Sequence, residues 1–204
     1  MKHCIIDFET MGTDTSNCAV IDVSAMIFDW DRFSSDNPYT LADITEVRKF
    51  KFSIKEQVSK YGFAVDQSTI KFWEEQPKEV RRNIMPRDTD ISLEEFASQF
   101  INFLIPHGKI HRWWSRNNSF DPIILWRLFD SVGKKNQVLE YLPHWFVRDT
   151  RTWIDAKLDF PKKNGFVPID DEKLWEESFK AHDSAWDILA DVLRLQAIDR
   201  AEKL

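Results

Sequence analysis

Hydrophobic positions follow two different periods along the chain. In the first third they are compatible with strands: Cys4–Phe8 is a short, mostly apolar run, Ala19–Phe28 (AVIDVSAMIF) is rich in β-branched and apolar residues, and Ile44–Ile54 (ITEVRKFKFSI) alternates in part. Met11-Gly12-Thr13-Asp14 and Ser34-Ser35-Asp36-Asn37-Pro38 supply turn chemistry between them. The pattern predicts an antiparallel meander of three strands, with 34–43 as a loop.

From Ser68 the period becomes helical. Ile70 and Phe72-Trp73 precede Pro77, which is expected to end one short helix and open another through Ile84. Ser92-Leu93-Glu94-Glu95 reads as a capping box, and Phe96, Phe100, Phe103 and Leu104 follow at helical spacing to about Ile105. Lys109–Trp114 reads as a strand, and Pro122 suits the first turn of a helix continuing through Phe129. Trp145-Phe146-Val147 is expected to be the last strand. A turn-rich stretch, Pro161–Pro168, then leads to a closing helix over Ser184–Ala201, apolar at Ile188, Leu189, Val192, Leu193 and Leu195. Strands first, then helix and strand alternating, predict an α/β fold with a mixed sheet flanked by helices.

Length and charge narrow the class. At 204 residues, 43% hydrophobic, the chain suits one domain spanning 1–204 better than two. No apolar run reaches the roughly 18–20 residues of a bilayer span, and Asp7 comes too early for a signal peptide. Two cysteines, Cys4 and Cys18, give neither a disulfide framework nor a thiolate zinc site. His3, His107, His111 and His144 have no ligand spacing either. The expected location is a reducing cytoplasm, without a membrane partner; a homodimer leaves no readable signature. A net charge of -6 argues against gripping long duplex by phosphate neutralisation. It leaves open an enzyme that holds a strand end through divalent cations, which need carboxylates.

Three segments carry candidate chemistry. In Ile5-Ile6-Asp7-Phe8-Glu9-Thr10, the strand period puts Asp7 and Glu9 on one face, where two like charges need a cation. In Asn117-Asn118-Ser119-Phe120-Asp121, Asp121 lies between a strand and a helix, where a helix cap is the plain alternative. In Ala181-His182-Asp183-Ser184-Ala185-Trp186-Asp187, Ser184 and Asp187 have capping-box spacing, and His182 sits outside the helix, free to reach a neighbouring site. Together they supply four carboxylates and a base. Phosphodiester hydrolysis with two divalent ions about 3.5–4 Å apart calls for such a set, and a His titrates near neutral pH.

These motifs, Asp7-Phe8-Glu9-Thr10, Asn117-x-x-Phe120-Asp121 and His182-x-x-x-x-Asp187, resemble those of the DnaQ-like 3′–5′ exonucleases in their DEDDh form. The similarity is closer to the phage exonuclease A (DexA-type) and exoribonuclease-like subgroup. It is extended by DFETMG at Asp7–Gly12, AVID at Ala19–Asp22, STIKFW at Ser68–Trp73, RDTRT at Arg148–Thr152 and AHDS at Ala181–Ser184, and is loose near 31–60, 134–144 and 161–179.

The resemblance implies an RNase H-like core, a meander plus parallel strands, and Mg²⁺ or Mn²⁺ as two ions. Asp7 would bridge both ions, Glu9 and Asp187 would complete the shell, Asp121 would hold the second ion, and His182 would take a proton from water. Thr10, Met11, Asn117 and Phe120 would line the substrate site, although Phe120 reads better as core. Where many members carry His-Asn, this chain has Arg116-Asn117, so the contacts of that loop depart from the pattern. Asp149 is expected to cap a helix at Thr150. Trp113 and Trp114 must point to opposite faces.

The expected activity is 3′–5′ exonucleolytic hydrolysis of single-stranded DNA or frayed 3′ ends to nucleoside 5′-monophosphates. RNA is the alternative substrate, and a non-catalytic nucleic-acid-binding module the rival class.

Overall fold

The computed structural model describes residues 1–158 and 182–201. The turn-rich stretch read at Pro161–Pro168 lies outside the described residues.

Strand β1 (Lys2–Thr10) is central, because its alternation is apolar on both faces until Asp7. It pairs antiparallel with β2 (Val20–Asp29), which pairs antiparallel with β3 (Arg48–Lys51). On its other edge β1 pairs in parallel with β4 (Arg112–Ser115), and β4 with β5 (Val147–Asp149). The sheet order is therefore β3-β2-β1-β4-β5, the expected meander plus two parallel strands.

Helices cover both faces. Cys4, Ile6 and Phe8 of β1 point into one core with Phe50, Phe52 and Trp113, packed by α4 (Leu93–Leu104) and α5 (Asp121–Ser131). Ile5 points to the other face, where Met26, Phe28 and Trp114 meet α7 (Thr150–Lys157) and α8 (Ser184–Ala201). The two tryptophans thus part to opposite sides as alternation requires, and both are buried core. Asp7 and Glu9 follow Ile5 at steps of two, so both belong to the α8 face.

Short helices complete the chain: α1 (Ile54–Tyr61), α2 (Gln67–Glu74), α3 (Lys78–Ile84) and α6 (Lys135–Tyr141). Neither α1 nor α6 was expected from the sequence. The strand read over Ile44–Ile54 is also shorter, four residues long. Asp43 accepts the Thr40 N–H at 2.6 Å and Thr40 caps in return, which winds Leu41–Glu46 into a 3₁₀ turn. At the other end Ser53 accepts the Glu56 N–H and starts α1, which Gly62 ends at φ +69°. Trp145 and Phe146 belong to a 3₁₀ turn, His144–Phe146, and the last strand begins only at Val147. Asp149 caps α7 as read, accepting the Thr152 N–H at 2.7 Å. Among the described residues no helix is long and apolar enough to cross a membrane.

Burial separates residues that hold the fold from residues that only decorate it. Phe100 is fully buried against Phe50, Phe96 and Phe129, so Phe100→Ala is expected to cost about 3–5 kcal/mol. Trp145 is 63% exposed, and Trp145→Ala should stay within about 0.5 kcal/mol. Urea denaturation of the two variants measures both, and equal midpoints would contradict the assignment.

Candidate active site

The carboxylates converge where β1 leaves the sheet. Strand alternation brings Asp7 and Glu9 to one face, and α8 lays Asp187, in its first turn, across them. One carboxylate oxygen from each of Asp7, Glu9 and Asp187 lies within 4.8 Å of the others, and all three are partly buried. Burial pushes the Asp7 carboxyl well above its ordinary range, and the nearby charges of Asp121, Asp187 and Glu9 push it further. Glu9 is driven up in the same way, by burial and then by Asp22 and Asp187, with Lys49 opposing. Burial, reinforced by Asp191 and Asp183, pushes Asp187 up to about 7, against the pull of Arg194 and Arg116.

Asp121 flanks Asp7 from the first turn of α5 and is almost fully buried. The cap position belongs to Phe120, and the Asp121 side chain instead accepts the Phe8 N–H of β1 at 3.2 Å. Its pKa, too, is pushed up to about 7 by burial. The plain helix-cap reading of Asp121 therefore fails. That of Ser184 fails as well: Asp183 caps α8, accepting the Ala185 N–H at 3.2 Å, while the Ser184 hydroxyl turns to the sheet. Asp187 is left with no capping task and faces the other carboxylates.

His182 is exposed on the turn before α8, edge-on to the rings of Phe72 and Trp73 at 5.1 and 6.1 Å. It is the sole non-glycine residue with positive φ, 59°, among the described residues. Ala181 lies outside them. Thr10 is nearly buried, its hydroxyl donating to the Gly12 carbonyl at 2.7 Å, and its carbonyl accepts the Trp73 indole N–H at 3.0 Å. The next residue, Met11, lines a groove of about 760 Å³ between α1, α2 and α3. The floor of that groove is apolar, including Ile54, Trp73 and Ile84, while Lys55, Lys78, Arg81 and Arg82 stand at its edge. Asn117 spends its side-chain oxygen on the Ser119 N–H and hydroxyl, shaping the loop before α5. Phe120 is partly buried against the core.

Behind this row stand Asp191, Ser24 and Lys49, which the sequence did not single out, with Arg116 and Asp22, whose partners it did not reveal. Arg116, the departure from the family pattern, forms an ion pair with the buried Asp191, which also accepts from Thr150 at 2.6 Å and Arg194 at 2.9 Å. Asp191 follows Asp187 by four residues, so it shares the same helix face, and that spacing was the available signal. Asp22 and Ser24 sit at alternate positions of β2, on the face of Met26 and Phe28, where apolar residues belong. Asp22 is 1% exposed and paired with Lys49 at 3.2 Å.

The donor set is all carboxylate oxygen, which suits a hard divalent cation such as Mg²⁺ or Mn²⁺ and not zinc held by nitrogen or sulfur. Burial, reinforced by mutual repulsion, raises these carboxyls, and that is the electrostatic condition a bound cation relieves.

Known proteins bear on this geometry. The model of the 3′-5′ exoribonuclease Rv2179c-like domain matches residues 2–186. An exodeoxyribonuclease of Enterobacteria phage T4 is 34% identical over 213 residues, covering 96% of this chain and 88% of the relative. Exonuclease I of E. coli, in a zinc-bound complex with single-stranded DNA, superposes with TM-score 0.62 at 14% identity, over 99% of this chain and 41% of that one. Exonuclease I of Methylocaldum szegediense gives TM-score 0.64 at 12% identity, with 99% and 41% covered. This chain spans about two fifths of the length of those structures. At such identities they establish the fold, which is RNase H-like.

Asp121 and Asp187 are raised from an ordinary value of 3.8 to about 7. A raised carboxyl contributes stability below its unfolded value and loses it as pH climbs through the folded one. In EDTA the melting temperature should therefore fall from pH 5 to pH 8. Asp7→Asn, by removing a repelled charge, should raise it at pH 8 by about 2–4 °C, the shift about 1 kcal/mol gives in a chain of this size. A flat profile, or a less stable Asp7→Asn protein at pH 8, would contradict this electrostatic reading.

Proposed function

The chain belongs to the family of 3′-5′ exoribonuclease Rv2179c-like domains, within the DnaQ-like 3′-5′ exonucleases, and from that premise we propose that it removes nucleoside 5′-monophosphates from the 3′ end of single-stranded DNA. The family fixes the coarser activity, 3′-5′ exonucleolysis of nucleic acid. The finer reading rests chiefly on the close approach of Asp7, Glu9 and Asp187 with Asp121 beside Asp7. We treat residues 1–204 as one exonuclease domain, a reading supported by the match over 2–186.

In the proposed mechanism Asp7, Glu9 and Asp187 would hold divalent cations, with Asp121 completing the shell from the Asp7 side. Two such ions, when bound, polarise the attacking water and stabilise the leaving oxygen. His182 accepts the water's proton at an imidazole nitrogen, its exposed turn leaving the ring open to solvent. Asp191, fixed by Arg116, Arg194 and Thr150, holds the first turns of α8 in place behind Asp187. The groove beside Met11 supports a single strand: unpaired bases have an apolar floor to lie on, and Lys55, Lys78, Arg81 and Arg82 match the phosphates. Of the residues expected to face substrate, Met11 lines this groove, while the Thr10 hydroxyl and the Asn117 side chain are engaged within their own turns.

The T4 exodeoxyribonuclease relative and the DNA-bound exonuclease I structures favour deoxyribose. The exoribonuclease description of the family supports RNA as the second reading.

Single-stranded DNA and RNA oligonucleotides, labelled at either end and incubated with Mg²⁺, Mn²⁺ or EDTA, test the proposal. Shortening from the 3′ end is expected with metal, faster on DNA, and absent in EDTA and in Asp7→Ala. His182→Ala should lower kcat by about 10²–10⁴ at neutral pH with metal binding retained. Faster RNA hydrolysis would reverse the sugar assignment, and full turnover by His182→Ala would remove the base.

A further inference from the structure

His182 occupies a left-handed backbone conformation, φ 59°, that non-glycine residues rarely adopt unless their surroundings enforce it. Those surroundings are the two residues that follow it. Asp183 Oδ1 accepts from Lys49 Nζ at 3.0 Å and from the Ala185 N–H at 3.2 Å, and its Oδ2 accepts from Asn83 Nδ2 at 3.0 Å. Ser184 Oγ donates to Asp22 Oδ1 and lies 2.7 Å from Ser24 Oγ. Since its one hydroxyl hydrogen is given to Asp22, Ser24 is the donor between the two serines.

Lys49 ties these bonds into one network, because it also reaches Asp22 Oδ2 at 3.2 Å. Strand register explains the convergence: Ser24 of β2 pairs with Asp7 on one side and with Lys49 of β3 on the other. One row of the sheet therefore runs from a site carboxylate to the cation that holds the turn before α8. The same turn carries the His182 ring against Phe72 and Trp73.

We infer that Lys49, assisted by Asn83, is a positioning residue: it clamps Asp183 to the sheet and so fixes His182 in its left-handed conformation, with its ring against Phe72 and Trp73. The inference rests on the reading of His182 as the base. The ammonium is already paired with both Asp22 and Asp183, so the role runs through the turn and not through a substrate phosphate.

The test compares Lys49→Met, Lys49→Arg and Asn83→Ala with wild type and with His182→Ala, using a single-stranded oligonucleotide and saturating metal. Lys49→Met is expected to lower kcat about 10–100-fold with KM within about twofold, and Lys49→Arg to recover most of the loss, effects within the range of general-base contributions. Asn83→Ala, which leaves no buried charge unpaired, should lower kcat about threefold to tenfold and keeps the test open if Lys49→Met does not fold. Combined with His182→Ala, Lys49→Met should cost less than about twofold more, as expected of residues acting through one another. Independently of turnover, the His182 ring protons in the metal-free protein should carry ring-current shifts from Phe72 and Trp73, and these should collapse toward unstructured values in Lys49→Met.

An inactive His182→Ala beside fully active Lys49→Met and Asn83→Ala overturns the clamp alone. A raised KM with unchanged kcat makes Lys49 a substrate contact and also overturns it. Full turnover in His182→Ala defeats the base assignment first, and the clamp falls with it.

Discussion

Repulsion among carboxylates is the interaction around which this protein is organised. Asp7, Glu9 and Asp187 bring oxygens within 4.8 Å of one another in a partly buried setting, and Asp121 adds its charge to Asp7. No chain gathers such charges for stability, because each is held away from its ordinary ionisation. The sheet must therefore be strong enough to impose the contact. It does so by placing β1 at its centre, with neighbours on both edges, and by burying α8 along most of its length against β1 and β2. The apolar half of β1 holds the acidic half in position.

The surrounding acids show that this crowding is selective. Asp22 and Asp183 share Lys49, and Asp191 receives Arg116 and Arg194. These carboxylates have cations of the chain's own, and they serve as struts: one set fixes the turn before α8, the other its second turn. Among the described residues no cation closes an ion pair with Asp7, Glu9 or Asp187; Lys49 and the nearest arginines moderate their charge from a distance. Among the described residues a row of acids with internal partners stands behind a row without them, an arrangement that suits an external cation at the front row.

How much of this could be read beforehand follows from the range over which each signal acts. Asp7 and Glu9 were legible because strand alternation is a local rule, and the paired acids end an apolar run. The α8 helix and α4 declared themselves by length and spacing. By contrast, Asp121 and Ser184 offered local capping roles that the fold does not use, since the first is claimed by the Phe8 N–H and the second by Asp22 and Ser24. Local propensity gives way where a tertiary partner offers a buried polar group a better bond. Lys49 was invisible for the same reason, as its partners lie 27 and 134 positions away in the chain. The short helices α1 and α6 escaped because one or two turns carry too little periodicity to register, and the strand at Ile44 was lost to the Thr40–Asp43 cap.

Charge also acts on two length scales. The chain as a whole is acidic, net -6, so at distances beyond the Debye length, about 8–10 Å in ordinary salt, it offers little attraction to a polyanion. Within the groove the balance reverses, with Lys55, Lys78, Arg81 and Arg82 around an apolar floor that ends at Met11. On the proposed reading, a duplex presents its phosphates and hides its bases, and so meets the acidic surface without filling the floor. A single strand can lay bases on the floor and phosphates on the rim at once. On that reading, discrimination between the two would come from needing both contacts together, with the acidic remainder of the surface discouraging binding by phosphates alone.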